Sequence, residues 1–166
     1  MAQKYLVTGG AGFIGSNYVS RLLERGEKVT VFDNLSRSGA RLNLEWLRQT
    51  YGDKSFELVV GDVRDARAIL DAAREASVIV HLAAQVAVTT SVTKPREDFE
   101  INALGTLNLL VILIAIEMAQ GEHRAAIAGY QELRDWLRQS AGSDDPALTE
   151  LHYLLAECYL ADAQRP

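Results

Sequence analysis

Short apolar runs and amphipathic stretches alternate along the first two-thirds of the chain. "KYLVTG" (4–9) is an apolar run ending in glycine. "FIGSNYVSRLLERG" (13–26) then places Phe13, Ile14, Val19, Leu22 and Leu23 at helical spacing up to Gly26. "KVTVFD" (28–33) is a β-branched strand, and "ARLNLEWLRQTYG" (40–52) puts Ala40, Leu44, Leu47 and Tyr51 on one helical face. "FELVVGD" (56–62) and "SVIVHLAA" (77–84) predict a third and a fourth strand, with a helix in "DARAILDAAREA" (65–76) between them. Strands that are apolar nearly throughout suit a parallel sheet covered by helices on both faces. Right-handed crossovers then give an α/β fold, a truncated doubly wound (Rossmann-like) parallel sheet of about four strands.

The alternation stops after the fourth strand. "QVAVTTSVTKP" (85–95) reads as a polar loop leading to a helix that begins near Pro95. "INALGTLNLLVILIAI" (101–116) carries no charge, yet it contains two Asn and a Thr. It falls short of the roughly 20 residues of a membrane span, so it is expected to be a buried or partner-facing helix. Within it "VILIAI" (111–116) is open between strand and helix. "GEHRAAIAGYQELRDWLRQS" (121–140) and "ALTELHYLLAECYLADAQ" (147–164) predict helices flanking a polar turn, "AGSDDP". The chain therefore divides into an α/β segment, 1–110, and an all-helical segment, 111–166.

A formal net charge of -5 disfavours non-specific binding to nucleic acid or to an anionic membrane. The single cysteine, Cys158, excludes an internal disulfide and fits a reducing, cytoplasmic compartment. No signal peptide is visible, because the glycines of "TGGAG" stand where an apolar core should continue.

The candidate chemistry begins with those glycines. Gly9, Gly12 and Gly15 fall between a predicted strand and a predicted helix, the context in which backbone N–H groups cradle a pyrophosphate. Gly9 would allow the tight turn, Gly12 the approach of the pyrophosphate, and Gly15 the packing of helix on strand. Asp33 ends the second strand, 18 residues after Gly15, placed to accept from ribose hydroxyls and to repel a 2′-phosphate. NAD is thus favoured over NADP, a preference that Arg37 and Arg41 weaken. Phe13 and Ile14 in the loop and Asn34 after the acid complete this part of the candidate cofactor site. A Walker A loop is excluded, since Ser16 stands where its lysine must be.

"VTGGAGFIGSN", "VFDNLSRSG", "GDVRD", "VIVHLAAQ" and "FEINALGTLNLL" together resemble the extended short-chain dehydrogenase/reductases, the nucleotide-sugar epimerases and dehydratases. "AAQVAVTTSV" is similar to the CDP-paratose 2-epimerase branch. The resemblance implies NAD as cofactor, with Asp62 and Val63 bordering the adenine and Ala83, Ala84 and Gln85 lining the cofactor beyond the fourth strand. It also implies that Asn102 braces that strand, and that Thr89, Thr90 and Ser91 lie near the nicotinamide or the sugar. A subunit interface at the helix after the fourth strand is implied too, hence a homodimer through 95–120 and the C-terminal helices.

The same resemblance calls for a tyrosine followed four residues later by lysine, the pair that exchanges a proton with the sugar while hydride moves. Tyr5, Tyr18, Tyr51, Tyr130, Tyr153 and Tyr159 are followed at that position by Gly9, Leu22, Ser55, Arg134, Glu157 and Ala163. No catalytic residue is therefore assigned, and NAD binding without turnover is expected. No metal site is assigned either, because His123, His152 and Cys158 lack paired ligand spacing. "GEHRAAIAGYQEL" and "LHYLLAECYLA" resemble tetratricopeptide helices, with Ala126, Ile127 and Tyr130 at packing positions in the first. The join near residue 110 then looks like that of a chimera or a truncated gene. Two other readings stay open: a nucleotide-sugar epimerase completed by another chain, and an interaction protein with a relic cofactor loop.

Overall fold

The computed structural model describes residues 2–141. The chain divides into two compact units, one ending at Leu109 and the other beginning at Leu110.

The first unit contains four strands: β1 (Lys4–Thr8), β2 (Lys28–Asp33), β3 (Glu57–Val60) and β4 (Val78–His81). All pairings are parallel and the strand order is β3-β2-β1-β4, so the chain steps outward to one side and then crosses back over β1. Helices α1 (Phe13–Glu24), α2 (Ala40–Tyr51) and α3 (Ala66–Ala73) make the first two crossovers and part of the third. Alternate residues of the strands serve the two faces. Val7, Val29 and Val31 join Val19, Leu22, Ala40, Leu44, Leu47 and Phe56 in one buried cluster with α1 and α2. Leu6, Thr8, Thr30 and Phe32 are buried on the other side.

Local chemistry fixes the helix ends. Asp65 caps α3, its carboxylate accepting from the amides of Arg67 and Ala68. α1 ends with Gly26 at φ 74°; there the Gly26 amide donates to the Leu23 carbonyl and the Glu27 amide to that of Leu22.

Two expectations need correction in this unit. Phe13 and Ile14 are not part of the packed face of α1: they are 81% and 69% exposed, because the first turn overhangs the ends of the strands. The stretch after β4 is not all loop. Val88–Thr93 forms a short helix, α4, in which Ser91 and Lys94 amides donate back to the Ala87 and Thr90 carbonyls.

A long helix begins with Pro95 in its first turn, which needs no amide donor. It consists of α5 (Pro95–Phe99), a π-helical turn (Glu100–Leu104) and α6 (Gly105–Ala119). "VILIAI" is thus helical: no turn signal interrupts the helix that enters it, and β propensity alone does not break it. The run Pro95–Met118, 24 residues, is long and apolar enough to cross a membrane by length and composition. Contrary to the expectation from the sequence, length therefore does not exclude a span. The polar residues of its first half are nonetheless engaged within the first unit: Asn108 Nδ2 donates to the Val63 carbonyl at 3.1 Å, and Thr106 meets His81.

In the second unit the rest of α6 turns at Gly121 (φ 82°) into α7 (His123–Ala141). Ile112, Ile114, Ala126, Tyr130 and Leu133 are buried, and a Cβ on Gly129 would come within 3.1 Å of Ile114 Cγ1. The helix expected in 147–164 lies outside the described residues.

Candidate functional site

In an open parallel sheet the carboxyl ends of the strands leave a crevice where successive crossovers leave in opposite directions, here between β1 and β4. A cleft of about 650 Å³ lies at this end of the sheet. Gly9, Gly12, Phe13, Ile14 and Gly15 line it from the glycine loop, and Asp33 and Asn34 from the end of β2. Asp62 and Val63 line it beyond β3, and Ala83, Ala84 and Gln85 beyond β4. All twelve residues named from the sequence are therefore brought together.

The glycines are placed by contact. Gly9 has φ 68°, and a Cβ there would stand 2.6 Å from the Ala83 amide nitrogen. A Cβ on Gly15 would lie 2.1 Å from the Gly9 carbonyl oxygen, so only glycine lets α1 start this close to β1. Gly12 is different: a Cβ would meet only the Gly9 oxygen, at 3.2 Å, and would otherwise project into open space. No side chain caps α1, and among the described residues no group accepts from the amides of Phe13 or Ile14. Those amides form the positive end of a 12-residue helix and are free to take an anion.

Asp33 is built into the loop it faces. Its Oδ2 accepts from the Ala11 amide at 3.0 Å and its Oδ1 from the Leu35 amide at 2.8 Å. Each oxygen keeps acceptor capacity for a hydroxyl donor. Asn43 on α2 donates to the Ala11 carbonyl at 2.8 Å and so holds the loop from its other side. The sequence pattern did not single out Asn43; its partner lies 32 residues away, and a lone Asn on a helix has no local signature.

The Asp62 carboxylate is occupied. Arg64 Nε and an Arg64 terminal nitrogen donate to its two oxygens at 2.9 and 2.8 Å, and Asn34 Nδ2 donates at 3.1 Å. These bonds, Arg64's above all, hold the Asp62 carboxyl well below the usual carboxylate range.

Beyond β4, Asn102 braces the chain from the π-helical turn. Its Oδ1 accepts from the Gln85 amide at 2.8 Å and its Nδ2 donates to the Gln85 carbonyl at 3.0 Å. Ile101, also not singled out by the sequence, lines the cleft from the same turn. Thr89, Thr90 and Ser91 are not among the lining residues; Ser91 Oγ donates to Asp98 at 2.8 Å instead. Tyr130, with Arg134 four residues on, is buried in the second unit, and Arg134 pairs with Asp135. His152 and Cys158 lie outside the described residues.

A four-stranded parallel sheet with this glycine loop and this strand-end acid defines a Rossmann-like α/β domain. The chain belongs to the GDP-mannose 4,6 dehydratase family, whose model matches residues 6–133. It is 50% identical over 109 residues to the CDP-paratose 2-epimerase of Salmonella typhi, covering 64% of this chain and 31% of that protein. The UDP-glucose 4-epimerase of Thermus thermophilus, solved in complex with NAD, superposes with a TM-score of 0.59 at 43% identity. That match covers 68% of this chain and 34% of the other. The dTDP-glucose 4,6-dehydratase DesIV of Streptomyces venezuelae, also solved with NAD, gives 0.61 at 36% identity over 68% and 36%. The chain thus spans about a third of the length of these relatives.

Proposed function

We propose that residues 1–110 bind NAD as the adenosine and pyrophosphate half of an epimerase- or dehydratase-type cofactor site, without turnover by this chain alone. One observation carries the reading: the unpaired amides at the start of α1 and the Asp33 carboxylate face the same cleft. The amides suit the pyrophosphate and the carboxylate suits the adenosine ribose. A 2′-phosphate beside Asp33 would meet like charge, which favours NAD over NADP. The two related structures solved with NAD support the choice of cofactor. Proton exchange with a sugar needs a tuned acid–base pair, and no tyrosine in this sequence has a lysine four residues on. The segment from residue 111 onward is the tetratricopeptide-like part of this reading, joined to the cofactor domain as in a chimera.

The test is a calorimetric titration of NAD into the chain, with NADP in parallel and Gly12→Val as control. Extended backbone at Gly12 (φ -69°) and open space beyond it let this variant fold while filling the approach to the amides. Saturable NAD binding that the variant loses supports the reading; no binding by the unmodified chain refutes it.

The identity to the Salmonella protein favours a second reading, a CDP-sugar 2-epimerase whose remaining groups come from another chain. Consumption of a CDP-sugar would reveal it. A homodimer through 95–120 belongs to both readings, since Leu110 and Leu113 are 40% and 38% exposed on a helix apolar on all sides. A cytoplasmic chain suits both as well. If no dinucleotide binds, the glycine loop is a relic and the helical segment carries an interaction role.

A further inference from the structure

The charges of the cleft do not balance for a dinucleotide. Asp33, Arg37 and Asp62 are the charged side chains that line it. Asp62 is already matched by Arg64, which leaves Asp33 and Arg37 to meet a pyrophosphate carrying two negative charges. The α1 amides offer only about half an elementary charge.

Arg37 stands in the loop between β2 and α2, four residues beyond Asp33. Its guanidinium donates to Gln85 Oε1 at 2.8 Å, and Gln85 lies beyond β4. Because β1 lies between β2 and β4, this bond spans the end of β1, where the glycine loop begins. The acceptor is a neutral amide, so the guanidinium keeps its full charge and four further N–H donors. The backbone of Gln85 is itself held, its main-chain amide and carbonyl both bonded to the Asn102 side chain.

We infer that Arg37 supplies the cation that pairs with the pyrophosphate, and that Gln85 holds its guanidinium over the glycine loop ready to do so. This rests on the NAD reading above. Arg37 binds a phosphate oxygen through a charge-assisted bond, while Gln85 acts only by positioning it.

The experiment titrates NAD and NADP into the full chain and into Arg37→Gln, Arg37→Lys and Gln85→Leu, each at low and at high salt. Arg37→Gln is expected to weaken NAD about tenfold or more and to flatten its salt dependence. Arg37→Lys is expected to recover part of the affinity and most of the salt dependence, since it restores charge without the fork. Gln85→Leu is expected to weaken NAD by a smaller factor with the salt dependence retained. A loss in Arg37→Gln with the wild-type salt dependence and no recovery in Arg37→Lys would mean a strap between two loops, and would overturn the inference. A loss confined to NADP would overturn it too, by moving Arg37 to the 2′-phosphate. Equal NAD affinity in wild type and Arg37→Gln overturns this inference alone, whereas a wild-type chain that binds no NAD overturns the cofactor reading with it.

Discussion

The Thr8 hydroxyl lies 2.6 Å from His81 Nδ1, at the paired ends of β1 and β4. The surrounding bonds fix which atom donates. Thr106 Oγ1 gives its proton to the Asn102 carbonyl at 2.6 Å, so it accepts from His81 Nε2 at 3.1 Å. His81 then carries its proton on Nε2, and Nδ1 accepts from Thr8. Thr8 Oγ1 in turn accepts from the amides of Leu82 and Ala83 at 3.3 and 3.4 Å. One directional chain of hydrogen bonds thus ties the end of β1 to the turn that carries Asn102.

That chain requires a neutral imidazole, and burial pushes the His81 pKa below its usual 6.5. Below about pH 6.5 the unfolded chain therefore takes up a proton that the folded chain resists. The stability contributed by neutral His81 is present above that pH and is lost as the pH falls through it. Urea midpoints at about pH 7.5 and about pH 5.5 should show the loss, and His81→Gln should shrink it. The same loss in both chains would remove His81 as its source.

Thr8→Val keeps the shape of a side chain that is 0% exposed but deletes its hydroxyl. Nδ1 of His81 is left without a donor, a cost of about 1–3 kcal/mol. Equilibrium unfolding should show a lower midpoint at an unchanged slope; a change below about 0.5 kcal/mol would mean that water replaces the hydroxyl.

Two glycines three residues apart should separate folding from binding. In Gly15→Ala the new methyl meets the Gly9 carbonyl oxygen at 2.1 Å, so α1 must shift, with an expected cost of about 2 kcal/mol or more. Gly12→Ala should fold nearly as well as the parent chain, and its defect should appear in NAD affinity. Thermal melts of the two variants beside their NAD titrations check this, and matched melting temperatures would contradict it.

Leu47, 0% exposed in the cluster that the sheet forms with α1 and α2, gives the scale for the core. Leu47→Ala should cost about 2–5 kcal/mol by urea denaturation. A smaller loss would show that the neighbours collapse into the space.

Parallel strands, their helices and the glycine loop were legible because each states a backbone demand locally: apolar runs, helical spacing, and glycines at fixed offsets. Asp33 was legible from its place at a strand end. Val88–Thr93 was not, because its valines and threonines are weak helix formers and the helix is tied down from Asp98 through Ser91. Phe13 and Ile14 have the periodicity of a packed face, and periodicity alone does not reveal that a first turn projects beyond its sheet. Asn43 and Arg37 reach partners 32 and 48 residues away, distances at which one sequence gives no register. Arg64's hold on Asp62 spans two residues and could have been read from "GDVRD".

The π-helical turn at Glu100–Leu104 acts as a change of phase in the long helix. Each residue of a regular helix advances the side chains by about 100°. The extra residue accommodated in this turn lets Asn102 point to Gln85 while Asn108, six positions on, still meets Val63. Delete one residue there and the helix could run straight, but its two asparagines would no longer keep time with the same sheet.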